Sequence, residues 1–229
     1  MDSFQKKNKV KRIFDAISHR YDFLNHLLSF GVDYYWRKKA IKLSRLNSES
    51  ILLDVACGTG DFAIKAKESG VKNIFGADFS INMLKLFKEK AKWSHGRLVQ
   101  CSAENLPFKE GTFTNIIVAF GVRNFYDIRE SFISFYRTLK SNGCLTILEF
   151  SLPSNPVIKK IYLFYFNNLL PFIGKIISKD KEAYRYLPES VGDFENKIDL
   201  VKLLKDCGFN NIEKYYLTFR LVQVVIATK

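Results

Sequence analysis

None of the 229 residues belongs to an unbroken apolar run of the roughly 18 residues that a membrane-spanning helix needs, and the polar N-terminus lacks the apolar stretch of a secretory leader. The expectation is a soluble or peripheral protein of the cytoplasm. Cysteine is scarce. Cys57, Cys101, Cys144 and Cys207 stand far apart in apolar surroundings with no C-x-x-C pair, which argues against a zinc ribbon or a disulfide scaffold and predicts buried thiols in a reducing compartment. No metal is expected. Internal repeats, low-complexity tracts and RGG-type segments are absent, which removes solenoids and the common basic RNA-binding tails. Acidic residues are outnumbered, 23 against 36 Lys and Arg, for a net charge of +13. Such a charge draws nucleic acid or the anionic surface of a membrane, and charge alone does not choose between them. The length suits one α/β domain with modest additions.

What is present is organised around Ile51–Asp61, ILLDVACGTGD. A short apolar run reads as a buried strand, and Gly58-Thr59-Gly60 as a tight turn into a helix, open to close approach by a ligand. Gly58, Gly60 and Ala63 also satisfy the G-x-G-x-x-A pattern of a dinucleotide fold, in which a pyrophosphate rests on a helix N-terminus. Asp54 at the strand's end and Asp61 at the helix's start would set carboxylates against that phosphate. They would welcome a cationic ligand, and S-adenosylmethionine, with its sulfonium and amino group and no phosphate, fits. An NAD-dependent oxidoreductase is the alternative from another enzyme class.

The chain then alternates strands and helices. Strands are expected at Asn73–Ala77, Arg97–Cys101, Asn115–Phe120 and Cys144–Phe150, with helices at Phe62–Ser69, Ile81–Lys92 and Asp127–Lys140. Asn142-Gly143 forms a turn. Asp78, about 20 residues past the glycine turn, is placed to accept from ribose hydroxyls; Ser80 competes with it for the role of helix cap. Ser102 and Ala103 follow the third strand at the ligand edge, where an adenine would lie. Arg123 and Asn124 follow the fourth at the centre of the sheet, which is the substrate position. A salt bridge from Arg123 to Asp127 or Glu130 is the structural alternative. Before the first strand, residues 1–12 read as a frayed cationic arm. Gly31–Leu46 reads as an amphipathic helix with Tyr35, Trp36, Ala40 and Leu43 on one side and Arg37, Lys38, Lys39 and Lys42 around it. Ile161–Ile177 is rich in aromatics but broken by Asn, Pro and Gly, as an interfacial or substrate-covering helix would be. A helix at Ile198–Cys207 precedes Asn211–Leu217 and Arg220–Thr228, two strands joined by a tight turn. Such a closing hairpin does not belong to a dinucleotide-binding domain.

Four stretches, FDAISHRYDFLNHLLSFGVDYYWR, LLDVACGTGD, AFGVRN with ILEFSLP, and LPFIGKIISKDKEAYRYLPESV, together resemble the quinone C-methyltransferases of menaquinone and ubiquinone biosynthesis, nearly end to end. Generic class I methyltransferases share only the second. The resemblance implies a Rossmann-like α/β fold: a mostly parallel seven-stranded sheet with a C-terminal antiparallel hairpin and an N-terminal helical cap. It divides one domain into a cap (1–47), a cofactor-binding core (48–152), a helical substrate-covering insertion (153–197) and a closing helix and hairpin (198–229). It implies S-adenosylmethionine as donor, held by Asp54, Gly58, Thr59, Gly60, Asp78, Ser102, Ala103 and Ala119. The acceptor it implies is a demethylmenaquinol or a methoxy-polyprenyl-benzoquinol, met at the membrane surface on its cytoplasmic side, with no nucleic acid and with self-association left open. Cys57 and Cys144 stand where many relatives carry glycine.

The chemistry asks for two kinds of group. A quinol carbon attacks a sulfonium methyl only when a ring hydroxyl is ionised, and a proton must leave again as the ring rearomatises. Arg123 suits a developing phenolate but not a base; His19, His26 and Tyr21 suit proton carriage. The candidates for catalysis are therefore Arg123, Asn124, Tyr21 and His19.

Overall fold

The computed structural model describes residues 29–165, 168 and 181–229 and, N-terminal to them, 10, 12, 13, 15, 22 and 26. The described residues hold β1 (Ile51–Val55), β2 (Asn73–Asp78), β3 (Leu98–Gln100), β4 (Phe113–Ala119), β5 (Leu139–Phe150), β6 (Asn210–Leu217) and β7 (Val222–Thr228) in one sheet of order β3-β2-β1-β4-β5-β7-β6. The first five run parallel, and β7 lies antiparallel between β5 and β6. The strand order reverses at β1, between β2 and β4, and in such sheets a crevice opens beyond the carboxyl ends of the strands at that reversal.

Alternation along the strands builds two cores. Leu53, Val55, Ile116, Val118, Leu145 and Ile147 face one side; Leu52, Ile117, Leu148, Val224 and Ile226 face the other. The second side is covered by α1 (Val32–Leu43) through Trp36 and Ala40, α2 (Asp61–Glu68) through Ala63 and Ala66, and α3 (Ile81–Lys90) through Phe87. The first is covered by α4 (Ile128–Thr138) through Phe132 and Phe135, α6 (Lys181–Lys197) through Phe194, and α7 (Leu200–Asp206) through Leu204. One further helix, α5 (Pro156–Phe164), starts on an Asn155 cap just past β5.

Several sequence expectations shift. β5 begins at Leu139, and the Asn142-Gly143 turn sits inside it as an irregularity, the register jumping from Phe113 opposite Leu139 to Asn115 opposite Cys144. A side chain at Gly143 would come within 2.7 Å of the Lys140 carbonyl, so glycine is required there. On α1 Arg37 is buried and Tyr35 exposed, the reverse of the expected faces. Within the arm expected to be frayed, Val10 is 3% exposed, and Ile13 just past it is 2% exposed. Cys57 and Cys144 are buried as expected, while Cys101 and Cys207 are half-buried; all four are free thiols. No described helix is long and apolar enough to cross a membrane.

Candidate active site

The turn after β1 is made by Gly58 (φ +54°) and Gly60 (φ +89°). A Cβ at Gly60 would lie 2.2 Å from the Phe87 ring, so no other residue fits between this turn and α3. At the end of β2 Asp78, 5% exposed, accepts from Gly58 N–H at 2.8 Å with one oxygen and from Ser80 N–H at 2.9 Å with the other. Ser80 is the cap of α3, its hydroxyl accepting from Met83 N–H, which leaves Asp78 to the cleft. Burial lifts the Asp78 carboxyl to about 6, against the pull of these amide donors.

The cleft beside Asp78 encloses about 760 Å³ of space, open solvent at its mouth included. Gly58, Asp78, Ser102, Ala103 and Ala119 line it, and so does Asn124. Its apolar walls are Val55, Phe79, Met83, Phe120 and Phe125. Glu104 also borders it, holding the next loop by accepting from the N–H groups of Tyr126 and Asp127. Val10 reaches in from the N-terminal segment. Phe79, Met83, Glu104 and Val10 were missed by sequence reasoning; the first two follow Asp78 closely enough to be found, whereas nothing in the sequence marks Val10.

Three expected donor residues do not line the cleft. Asp54, 1% exposed, accepts from Ala63 N–H at 3.0 Å and ties β1 to α2, and burial pushes its carboxyl well upward. Thr59 is buried and donates to Asp22 at 2.5 Å. Gly60 serves the turn. Asp61, the second carboxylate of the charge argument, is taken up by Lys90 and lies near Arg37 and His26. Of the aspartates around the turn, Asp78 is the one that lines the cleft, which Glu104 also borders.

That Asp61 cluster joins the N-terminal segment to the floor of the cleft. Asp22 also contacts Lys90 at 2.9 Å, Asp15 accepts from the Ser80 hydroxyl at 2.6 Å, and His26 Nδ1 lies 2.8 Å from Asp33. His26, Asp33 and Asp61 are close enough to share an ion, but Arg37 and Lys90 already supply the positive charge there.

Arg123 and Asn124 sit on a short 3₁₀ turn after β4. Asn124 lines the cleft, its side-chain oxygen accepting from the Tyr186 hydroxyl at 3.0 Å. Arg123, 8% exposed, turns away from Asp127 and Glu130. Its Nη1 donates to Glu149 at 2.7 Å and to the Phe120 carbonyl, and its Nε to Ser190. Asp127 instead caps α4. Expected to face an acceptor, Arg123 stands behind Asn124 in a buried ion pair. His19 and Tyr21 lie outside the described residues.

A cleft at the reversal of a seven-stranded sheet with an acidic residue ending β2 can be compared with known proteins. The model of the ubiE/COQ5 methyltransferase family matches residues 2–229. The chain belongs to this family. It is similar, at 41% identity over 98% of its length and 94% of the relative's, to a demethylmenaquinone methyltransferase of Chlorobaculum parvum. A ubiquinone/menaquinone biosynthesis C-methyltransferase of Geotalea uraniireducens is 39% identical over 98% of each. Among solved structures, a SAM-dependent methyltransferase of Thermotoga maritima superposes with a TM-score of 0.66 at 18% identity, over 95% of this chain and 99% of that one. That likeness carries the fold, the seven-stranded sheet with its closing hairpin.

Proposed function

We propose that this member of the ubiE/COQ5 family methylates a ring carbon of a polyprenylated quinol, demethylmenaquinol first and the methoxy-polyprenyl-benzoquinol second, with S-adenosylmethionine as donor, at the cytoplasmic surface of a membrane. The observation that carries it is the cleft between Asp78 and Asn124, in a chain whose full-length relatives bear those names.

The residues present fit the donor. Each Asp78 oxygen takes one amide N–H and keeps further acceptor capacity for a vicinal diol. Phe79, Met83 and Ala103 offer flat apolar contact to an adenine, with Ser102 at its polar edge, and Gly58 and Ala119 leave room for the chain that carries the sulfonium. When bound, the donor supplies an electrophilic methyl group. On the other side Asn124, oriented by Tyr186, holds a ring hydroxyl of the acceptor. Arg123 biases that hydroxyl toward its anion from behind Asn124, through the positive end of the Arg123–Glu149 pair. Tyr21 and His19 are the proposed proton carriers. Burial raises the Tyr186 hydroxyl, so Tyr186 acts as a neutral hydrogen-bond donor and not as a base.

Incubation with S-adenosylmethionine and demethylmenaquinol in mixed micelles, with extraction of the quinones, tests the reading. Methylated quinone is expected. Tight binding of NAD with no methyl transfer, or transfer to RNA alone, would overturn it.

A further inference from the structure

The β6–β7 hairpin turns on residues that its backbone disfavours. Leu221 N–H donates to the Thr218 carbonyl at 3.0 Å and closes a four-residue turn whose central pair, Phe219 and Arg220, sits at φ +54° and +68°. A hairpin turn with both central residues left-handed is the place for Asn-Gly, and bulky side chains there strain the backbone. Phe219 gains no packing in return, being 75% exposed. Trp36 donates its indole N–H to the Thr218 hydroxyl at 2.7 Å and fixes the turn to α1.

The turn belongs to the mouth edge of the sheet. Val222 pairs with Phe150, the last residue of β5, and Ser151 N–H donates to the Leu221 carbonyl at 2.9 Å. α5 leaves from the same strand end and presents Val157, Ile161 and Phe164 at helical spacing, 65%, 65% and 67% exposed, with Lys159 and Lys160 exposed beside them. Phe30, 77% exposed, holds its ring 6.1 Å from Tyr165 just past α5. Five large apolar side chains are thus exposed around the carboxyl end of β5, on the sheet edge that the β6–β7 turn shares.

We infer that this edge is a bilayer-docking face, in which Phe219 and the α5 stripe enter the interface of an anionic membrane while Lys159 and Lys160 meet its headgroups. The inference rests on the reading of the acceptor as a polyprenylated quinol, which must be drawn from a bilayer. The net charge of +13 favours anionic lipid over a second copy of the chain, because two such copies repel. Apolar side chains at this level, with cations beside them, are the pattern of an interfacial anchor.

The test compares the full chain with the Phe219→Asn/Arg220→Gly and Ile161→Glu/Phe164→Glu variants. Co-sedimentation uses phosphatidylcholine vesicles with and without phosphatidylglycerol, and turnover is measured on a short-chain, water-soluble quinol. Each variant should lose about ten-fold or more in vesicle partition, from the apolar area no longer buried, and keep wild-type turnover on the soluble acceptor. The turn variant should also melt at a higher temperature, since Asn-Gly relieves the backbone. Undiminished partition of both variants beside a wild type that binds overturns the inference alone. A wild type left in the supernatant with anionic vesicles overturns the membrane reading and the inference together.

Discussion

Replacing Arg123 by alanine removes the cation from a pair whose carboxylate is fully buried. Glu149 is 0% exposed, and it would keep only the N–H donors of Phe150 at 2.9 Å and of residue 123 at 3.3 Å. At a separation near 4 Å between charge centres and an effective dielectric constant of about 20, the lost attraction is of order 4 kcal/mol, and breaking one side of a buried pair costs about 3–5 kcal/mol in practice. At about 2–4 °C per kcal/mol for a chain of this size, the melting temperature should fall by about 6–20 °C. Removing both charges, as in Arg123→Met/Glu149→Leu, should recover most of that loss, because no carboxylate is then left unpaired. Thermal unfolding followed by circular dichroism reads the stability, and transfer of a labelled methyl group reads the activity. If the double variant melts like wild type yet turns over about 10²–10³-fold more slowly, the guanidinium acts on the acceptor's developing charge. If stability and turnover return together, Arg123 is a structural clamp. A single variant that melts within a degree of wild type would refute the burial argument itself.

Asp78 gives a prediction in pH. Because burial lifts its carboxyl to about 6, S-adenosylmethionine should bind more tightly as the pH rises from 5 to 7, and Asp78→Asn should bind weakly with that dependence flattened; calorimetry across the range decides it. The same group works on stability with the opposite sign. The folded state holds a proton that the unfolded chain releases near 4, so its contribution to the unliganded protein declines as the pH rises from 4 through 6, and urea titrations of wild type and Asp78→Asn should converge at low pH. Gly60→Ala places a Cβ against the Phe87 ring at φ +89° and should cost about 2–4 kcal/mol from the strained backbone and overpacking; a wild-type melting curve would refute the turn geometry. Trp36→Phe removes the indole donor to Thr218 and should cost about 1 kcal/mol, an effect that Thr218→Val should abolish in a double-mutant cycle.

The donor side was legible because its parts are local. Within thirty residues the strand, the glycine turn and Asp78 follow one another, and turn chemistry together with apolar periodicity specify all three. The tie of Asp54 to α2 was legible too, since period 2 places it on the face of Leu52, the face that α2 covers and whose Ala63 N–H it binds. Arg37 carried a signal too, lying four residues after Asp33 on one helical stripe. Val10 carried none, since one apolar residue in a basic stretch has no pattern. The partner of Arg123 is 26 residues away in sequence, and only the pairing of β4 with β5, which sets Ala119 opposite Leu148, brings Glu149 beside the residues after β4.

On the proposed function, the same pairing lets one sheet hold two reactants by different means. The donor side uses backbone groups, small residues and one carboxylate drawn from consecutive strand ends, so it is fixed by the sheet itself. The acceptor side is assembled from side chains of distant segments. Ser190 of α6 accepts from Arg123 and Tyr186 donates to Asn124, while Glu195 accepts from Gln223 of β7 and from Ser151 beyond β5. These bonds tie α6 to three strand ends, those of β4, β5 and β7, and α6 follows the aromatic segment that was expected to cover the substrate. Changes in α6 should therefore alter which quinol nucleus is accepted without disturbing Asp78 or Gly58. The buried Arg123–Glu149 pair at their junction would, on that reading, hold the acceptor wall in one register against a donor that the sheet positions.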